Sequence, residues 1–130
     1  MAGFRTTLGR ARGLGSAKHG VGHWIGERVS AAALVPLVLW AVYSALMLSV
    51  ASYESAALWL HAPLNAVLMT LLIAVGFWHM HSGVRVVIED YIEGGMVRIG
   101  LLLGNLFVCV LFASLAVFSI LKVALSGGAY

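Results

Sequence analysis

The sequence is poor in ionisable residues, in cysteine and in proline. Only 10% of its 130 residues are Asp, Glu, Lys or Arg, and 62% are hydrophobic, whereas soluble domains carry roughly 25% charged residues. A single cysteine, Cys109, excludes an intrachain disulfide and a cysteine-ligated metal site within one chain. The glycines of the N-terminal segment GRARGLGSAKHG do not have the spacing of a nucleotide-binding loop. These absences exclude an ordinary soluble domain and indicate an integral membrane protein.

What the sequence does contain is three long apolar intervals. Asp, Glu, Lys and Arg are absent from residues 29–53, 55–84 and 99–121. A bilayer core of about 30 Å requires about 20 apolar residues per helix, so each interval can hold one span. We therefore predict an all-α integral membrane protein with transmembrane helices at about 29–51, 64–88 and 99–124. Residues 1–28 are predicted to form a basic tail, and residues 29–130 a three-helix transmembrane anchor domain.

The distribution of basic residues predicts the orientation of these spans. Five basic residues precede the first span, whereas the first connection carries only Glu54; the five are Arg5, Arg10, Arg12, Lys18 and Arg28. By the positive-inside rule the N-terminus lies inside and the C-terminus outside. We predict the bacterial inner (plasma) membrane, with the tail in the cytoplasm. The alternative is the mitochondrial inner membrane, because a basic tail without acidic residues also suits a transit peptide.

The segment HMHSGVRVVIEDYIE, residues 79–93, gathers polar residues at the end of the second predicted span. At 100° per residue, His79, Gly83 and Asp90 share one helix face, and His81 points nearly the opposite way. His79 lies about 16 Å along the axis from Asp90, which places it near mid-membrane if Asp90 marks the interface. A histidine at this depth, followed one turn later by glycine, has the form of an axial haem ligand. A hydrogen bond to a neighbouring helix explains it equally well.

Two stretches resemble a known family, the hydrophobic membrane anchor subunits of succinate dehydrogenase, or respiratory complex II. They are GHWIGERVSAAALVP at residues 22–36 and HMHSGVRVVIEDYI at residues 79–92. The family pattern is a histidine, a glycine four residues later and an Asp-Tyr pair eleven and twelve residues after the histidine. Here these are His79, Gly83, Asp90 and Tyr91. The resemblance covers most of the chain and is greatest to alphaproteobacterial anchors and their mitochondrial relatives.

This resemblance implies that the chain shares one haem b with a partner subunit. His79 would be the axial ligand to the haem iron from this chain, and His81 is the runner-up. Gly83 would leave room for the macrocycle. Arg28 matches the arginine that opens the first helix of the family, and it could pair with Asp90 or with a haem propionate; a plain positive-inside anchor is the alternative.

The same resemblance implies a role at a ubiquinone reduction site. Tyr91 would donate its hydroxyl to a quinone carbonyl, which stabilises the charge that develops during reduction. Asp90 would tune the tyrosine or take part in proton uptake. An aromatic-belt tyrosine and a solvated interfacial acid remain the alternatives for these two residues.

As a whole, the resemblance implies a membrane anchor of succinate:ubiquinone oxidoreductase, acting in the tricarboxylic acid cycle and aerobic electron transport. The expected partners are a flavoprotein subunit, an iron-sulfur subunit, a second cytochrome b anchor subunit and the lipid bilayer, without nucleic acid. Succinate oxidation would occur elsewhere in the complex. The alternatives are a haem-free structural anchor, or the partner cytochrome b subunit, which the segment HSGVR also resembles. Against the partner subunit, the chain lacks its His-Arg dipeptide and carries the Asp-Tyr pair.

Overall fold

A computed structural model describes residues 6–13 and 20–126 of the chain. Within these ranges all regular structure is helical: α1 is Thr7–Ala11, α2 is Gly20–Leu48, α3 is Tyr53–His61, α4 is Pro63–Tyr91 and α5 is Gly95–Leu125. Three of the helices, α2, α4 and α5, are long and apolar enough to cross a membrane. The predicted all-α fold with three candidate transmembrane helices is confirmed.

The first long helix starts well before the predicted boundary. It begins at Gly20 rather than near residue 29, and it ends at Leu48. Its 29 residues extend about 43 Å at 1.5 Å per residue, which is longer than the roughly 30 Å apolar core of a bilayer. The helix is therefore long enough for its first turns to lie outside the apolar core of the bilayer. The division into a tail at 1–28 and an anchor domain at 29–130 stays a prediction, since residues 1–5 and 14–19 of that tail lie outside the described residues.

The central packing element is α4, which contacts both α2 and α5. Most of the buried positions on these helices carry small side chains, among them Ser30, Ser44, Ala66, Ser82 and Cys109. Small residues allow membrane helices to approach closely, where dispersion contacts and interhelical hydrogen bonds stabilise the pair. Because α4 has a neighbour on each side, side chains on its opposite faces meet different helices.

A short helix, α3, connects the first and second spans and was not predicted. Its N-cap is Ser52, whose hydroxyl accepts a hydrogen bond of 3.3 Å from the backbone N–H of Ser55, a favoured arrangement at helix starts. Trp59 stacks on Trp40 of α2, with ring centroids 5.6 Å apart. His61 donates from Nδ1 to the Ala124 carbonyl, 3.2 Å away on α5. The helix is thus fixed to both outer spans.

Candidate functional site around His79

His79 lies near the middle of α4 and faces α2. Its Nδ1 is 3.0 Å from the Ser30 hydroxyl oxygen. Its other ring nitrogen, Nε2, makes no hydrogen bond to any residue that the structure describes. The side chain borders an open apolar groove of about 400 Å³, whose other lining residues are Ala31, Leu34, Val35, Val38 and Leu39. An imidazole nitrogen without a protein partner beside an apolar groove is the donor that a b-type haem requires.

Gly83 follows one turn later on α4 and is exposed. A Cβ atom built at this position would meet no other atom within 4 Å. No contact within the described part of the chain therefore requires glycine here. The surface next to His79 is open to a group or subunit from outside, which fits the predicted space for a macrocycle.

His81 faces α5 rather than α2, in agreement with the predicted opposite directions of the two histidines. Its Nδ1 and its backbone oxygen each lie 3.0 Å from the side-chain nitrogen of Asn105. The Cys109 thiol in turn donates to the Asn105 side-chain oxygen at 3.4 Å. His81 also borders a second apolar cavity of about 300 Å³, together with Phe77 and Trp78. His81 is therefore part of the contact between α4 and α5.

Asp90 and Tyr91 form the end of α4, and both are exposed. Tyr91 retains 79% of its accessible surface. Neither side chain forms a hydrogen bond or an ion pair within the described ranges. The phenol and the carboxylate are thus free to contact a partner subunit or a bound molecule.

Arg28 and Arg85 have partners on their own helices. The Arg28 guanidinium lies over the Trp24 ring, 5.6 Å from its centroid, a cation–π arrangement. No ion pair joins Arg28 to Asp90 among residues 20–126, so the predicted pairing is not formed in this structure. Arg85 forms an ion pair with Glu89 one turn later, with Nε and Oε1 2.8 Å apart. Glu89 therefore has a partner on its own helix.

Two residues at this site, Ser30 and Asn105, were missed from the sequence. Both are polar residues within otherwise apolar spans, and such residues commonly form hydrogen bonds between membrane helices. Each contacts one of the two histidines. In the described ranges, no group of three or more His, Cys, Asp or Glu side chains could hold a metal ion. Any metal held by this part of the chain would need ligands from elsewhere.

Comparison with known proteins identifies the family. The family model described as "Succinate dehydrogenase/Fumarate reductase transmembrane subunit" matches residues 3–121. The chain is 34% identical over 91 residues to the succinate dehydrogenase hydrophobic membrane anchor subunit of Rickettsia conorii, covering 69% of this chain and 72% of the relative. It is 32% identical over 118 residues to the protein of the same name from Paracoccus denitrificans, covering 88% of each chain. No solved structure matches significantly.

The matched segment includes all three long helices almost completely, and the relatives share the name that the Asp-Tyr and histidine pattern predicted. The chain therefore belongs to the family of succinate dehydrogenase/fumarate reductase transmembrane subunits, as a membrane anchor subunit of complex II.

Proposed function

We propose that this anchor binds haem b together with a second cytochrome b anchor subunit and forms part of the ubiquinone reduction site. His79 ligates the iron through Nε2, and Tyr91 and Asp90 face the quinone. The complex also contains a flavoprotein and an iron-sulfur subunit, and it resides in a bacterial inner membrane with the N-terminus of this chain inside. When bound, the haem supplies a one-electron carrier within the membrane.

The observation that carries the haem assignment is the environment of His79. The imidazole lies near mid-helix, its Nδ1 is fixed by Ser30, and it borders an apolar groove. Ligating histidines in metal sites almost always use their other ring nitrogen in a hydrogen bond of this kind, which fixes the ring orientation. The groove is open on one side, so a second subunit is needed to enclose a large apolar group. A shared haem meets both requirements.

The quinone assignment is supported by the exposure of Tyr91 and Asp90 at one end of α4. Tyr91 can donate its O–H to a quinone carbonyl oxygen, because no described side chain or backbone group competes for it. Asp90 is adjacent and can pass a proton from the aqueous side, which quinone reduction to quinol consumes. Arg28 remains a candidate partner for a haem propionate, since cation–π contacts with Trp24 at exposed sites contribute only about 0.5–1 kcal/mol.

A reduced-minus-oxidised spectrum of the purified complex tests the haem assignment. The wild-type complex should show a b-type band, and His79→Ala should abolish it. His81→Gln is the matched control, because it removes the other imidazole while keeping an acceptor for Asn105, and it should leave the band intact. Absence of the band from the complete wild-type complex would favour a haem-free structural anchor. Loss of the band in His81→Gln alone would exchange the roles of the two histidines.

A further inference from the structure

His79 and His81 each contact a polar side chain of a neighbouring helix through the same ring atom, Nδ1. The partner is the Ser30 hydroxyl in one case and the Asn105 amide nitrogen in the other, each at 3.0 Å. A neutral imidazole has one nitrogen that carries hydrogen and one that carries a lone pair. The group that meets Nδ1 therefore decides which form Nε2 takes.

Ser30 is placed to accept a hydrogen bond from His79. Its hydroxyl has a single hydrogen, which it donates to the Glu27 carbonyl oxygen at 3.0 Å. With its hydrogen on that carbonyl, the serine oxygen accepts from Nδ1–H of His79. Ser30 is only 6% exposed, so water has little access to replace this bond. In this arrangement Nε2 of His79 carries the lone pair, which is the form that binds iron.

Asn105 imposes the opposite form on His81. Its amide nitrogen has two hydrogens and no acceptor capacity, and it donates one to the His81 backbone oxygen and the other to Nδ1. The Cys109 thiol donates to the amide oxygen, which fixes the orientation of the amide group. Nδ1 of His81 is therefore an acceptor, and Nε2 carries the hydrogen. An N–H group cannot ligate a metal.

We propose that Ser30 is a positioning residue that selects His79 as the haem ligand by holding it in the Nδ1–H form, while Asn105 holds His81 in the form that cannot ligate. This inference rests on the proposed haem function and explains which of two neighbouring histidines performs it. A hydrogen bond at Nδ1 also raises the basicity of the ligating nitrogen, and loss of such a partner typically costs 10- to 100-fold in metal affinity.

The test uses the complete complex carrying Ser30→Ala. We expect the affinity for haem, measured by transfer of haem to an excess of a haem-scavenging protein, to fall about 10-fold or more. The electron paramagnetic resonance spectrum of the oxidised haem should also change, because the ligand loses its fixed orientation. Ser30→Thr keeps the hydroxyl and should restore both measurements. Ser44→Ala is the matched control, because Ser44 is an equally buried serine on α2 and close to the same helix face; it should change neither.

Wild-type haem affinity and an unchanged resonance spectrum in Ser30→Ala would overturn the inference. So would a Ser30→Thr variant as defective as Ser30→Ala, because the effect would then belong to packing rather than to the hydroxyl. A different result would contradict the proposed ligation of haem by His79. If haem stays bound in His79→Ala, the ligand assignment itself is wrong, whatever the Ser30 variants show.

Discussion

Replacing Asn105 should weaken the contact between α4 and α5 measurably. Asn105→Leu removes two hydrogen bonds to His81 and the acceptor of the Cys109 thiol. Hydrogen bonds between membrane helices average about 0.6 kcal/mol each, with a maximum of about 1.7. The loss of the two bonds to His81 gives roughly 1–3 kcal/mol. The leucine side chain fills a similar volume, so a cavity adds little.

The measurement is the free energy of unfolding of the complex during titration with dodecyl sulfate in mild detergent. Ser119→Ala serves as the control, because the Ser119 hydroxyl donates to the Leu115 carbonyl of its own helix and to no other described residue. This substitution should change the free energy of unfolding by less than about 0.5 kcal/mol. A double-mutant cycle with His81→Leu isolates the contact between the two side chains. If the free energy of unfolding of Asn105→Leu lies within about 0.3 kcal/mol of the wild-type value, which is the additivity error of such measurements, the hydrogen bonds do not stabilise this contact.

Three further predictions concern other parts of the chain. Tyr91→Phe should lower quinone reductase activity on the order of 100-fold, as removal of one transition-state donor does elsewhere. Tyr43 is a similarly exposed tyrosine on α2, and Tyr43→Phe should keep the wild-type activity. Wild-type activity in Tyr91→Phe would refute the donor role. Trp59→Leu should destabilise α3 by about 0.5–1.5 kcal/mol beyond its loss of buried area, since it removes the stack; an unchanged protease cleavage rate in the 49–62 segment would contradict this. Arg85→Gln breaks an ion pair whose partners are both partly exposed, so the free energy of unfolding should fall by less than about 1 kcal/mol, and less still at high salt.

The positions of the three spans could be predicted because apolar length alone decides them. Only the intervals without Asp, Glu, Lys or Arg are long enough to cross a bilayer, so the spans had to lie in them. The helices α4 and α5 begin and end within a few residues of the expected positions. The start of α2 could not be found in this way. Its first turns contain His23, Glu27 and Arg28, which interrupt the apolar run that set the predicted boundary, yet they continue the same helix.

The directions of the two histidines could be predicted from the sequence, but the residues that they contact could not. Helical spacing alone placed His79 and His81 on opposite faces, and the structure confirms this. Which residue each would meet depends on the rotation and depth of α2 and α5 relative to α4, and one chain's residue pattern does not determine these. Ser30 and Asn105 were missed for this reason. The helix α3 had a local signal, a serine cap followed by Glu54 in the first turn, that could have been recognised.

At Gly83, the stability of this chain's own helix and the contacts made in the assembled complex can be tested separately. The helix would gain by replacing it, since alanine favours a helix over glycine by about 1 kcal/mol, and a methyl group there would touch nothing within 4 Å. Random mutagenesis scored only on whether this chain folds and inserts would therefore accept alanine at position 83. Scored on the assembled complex, the same library would report what the rest of the complex tolerates at this position. The difference between the two scores would show whether this part of the surface contacts the assembly.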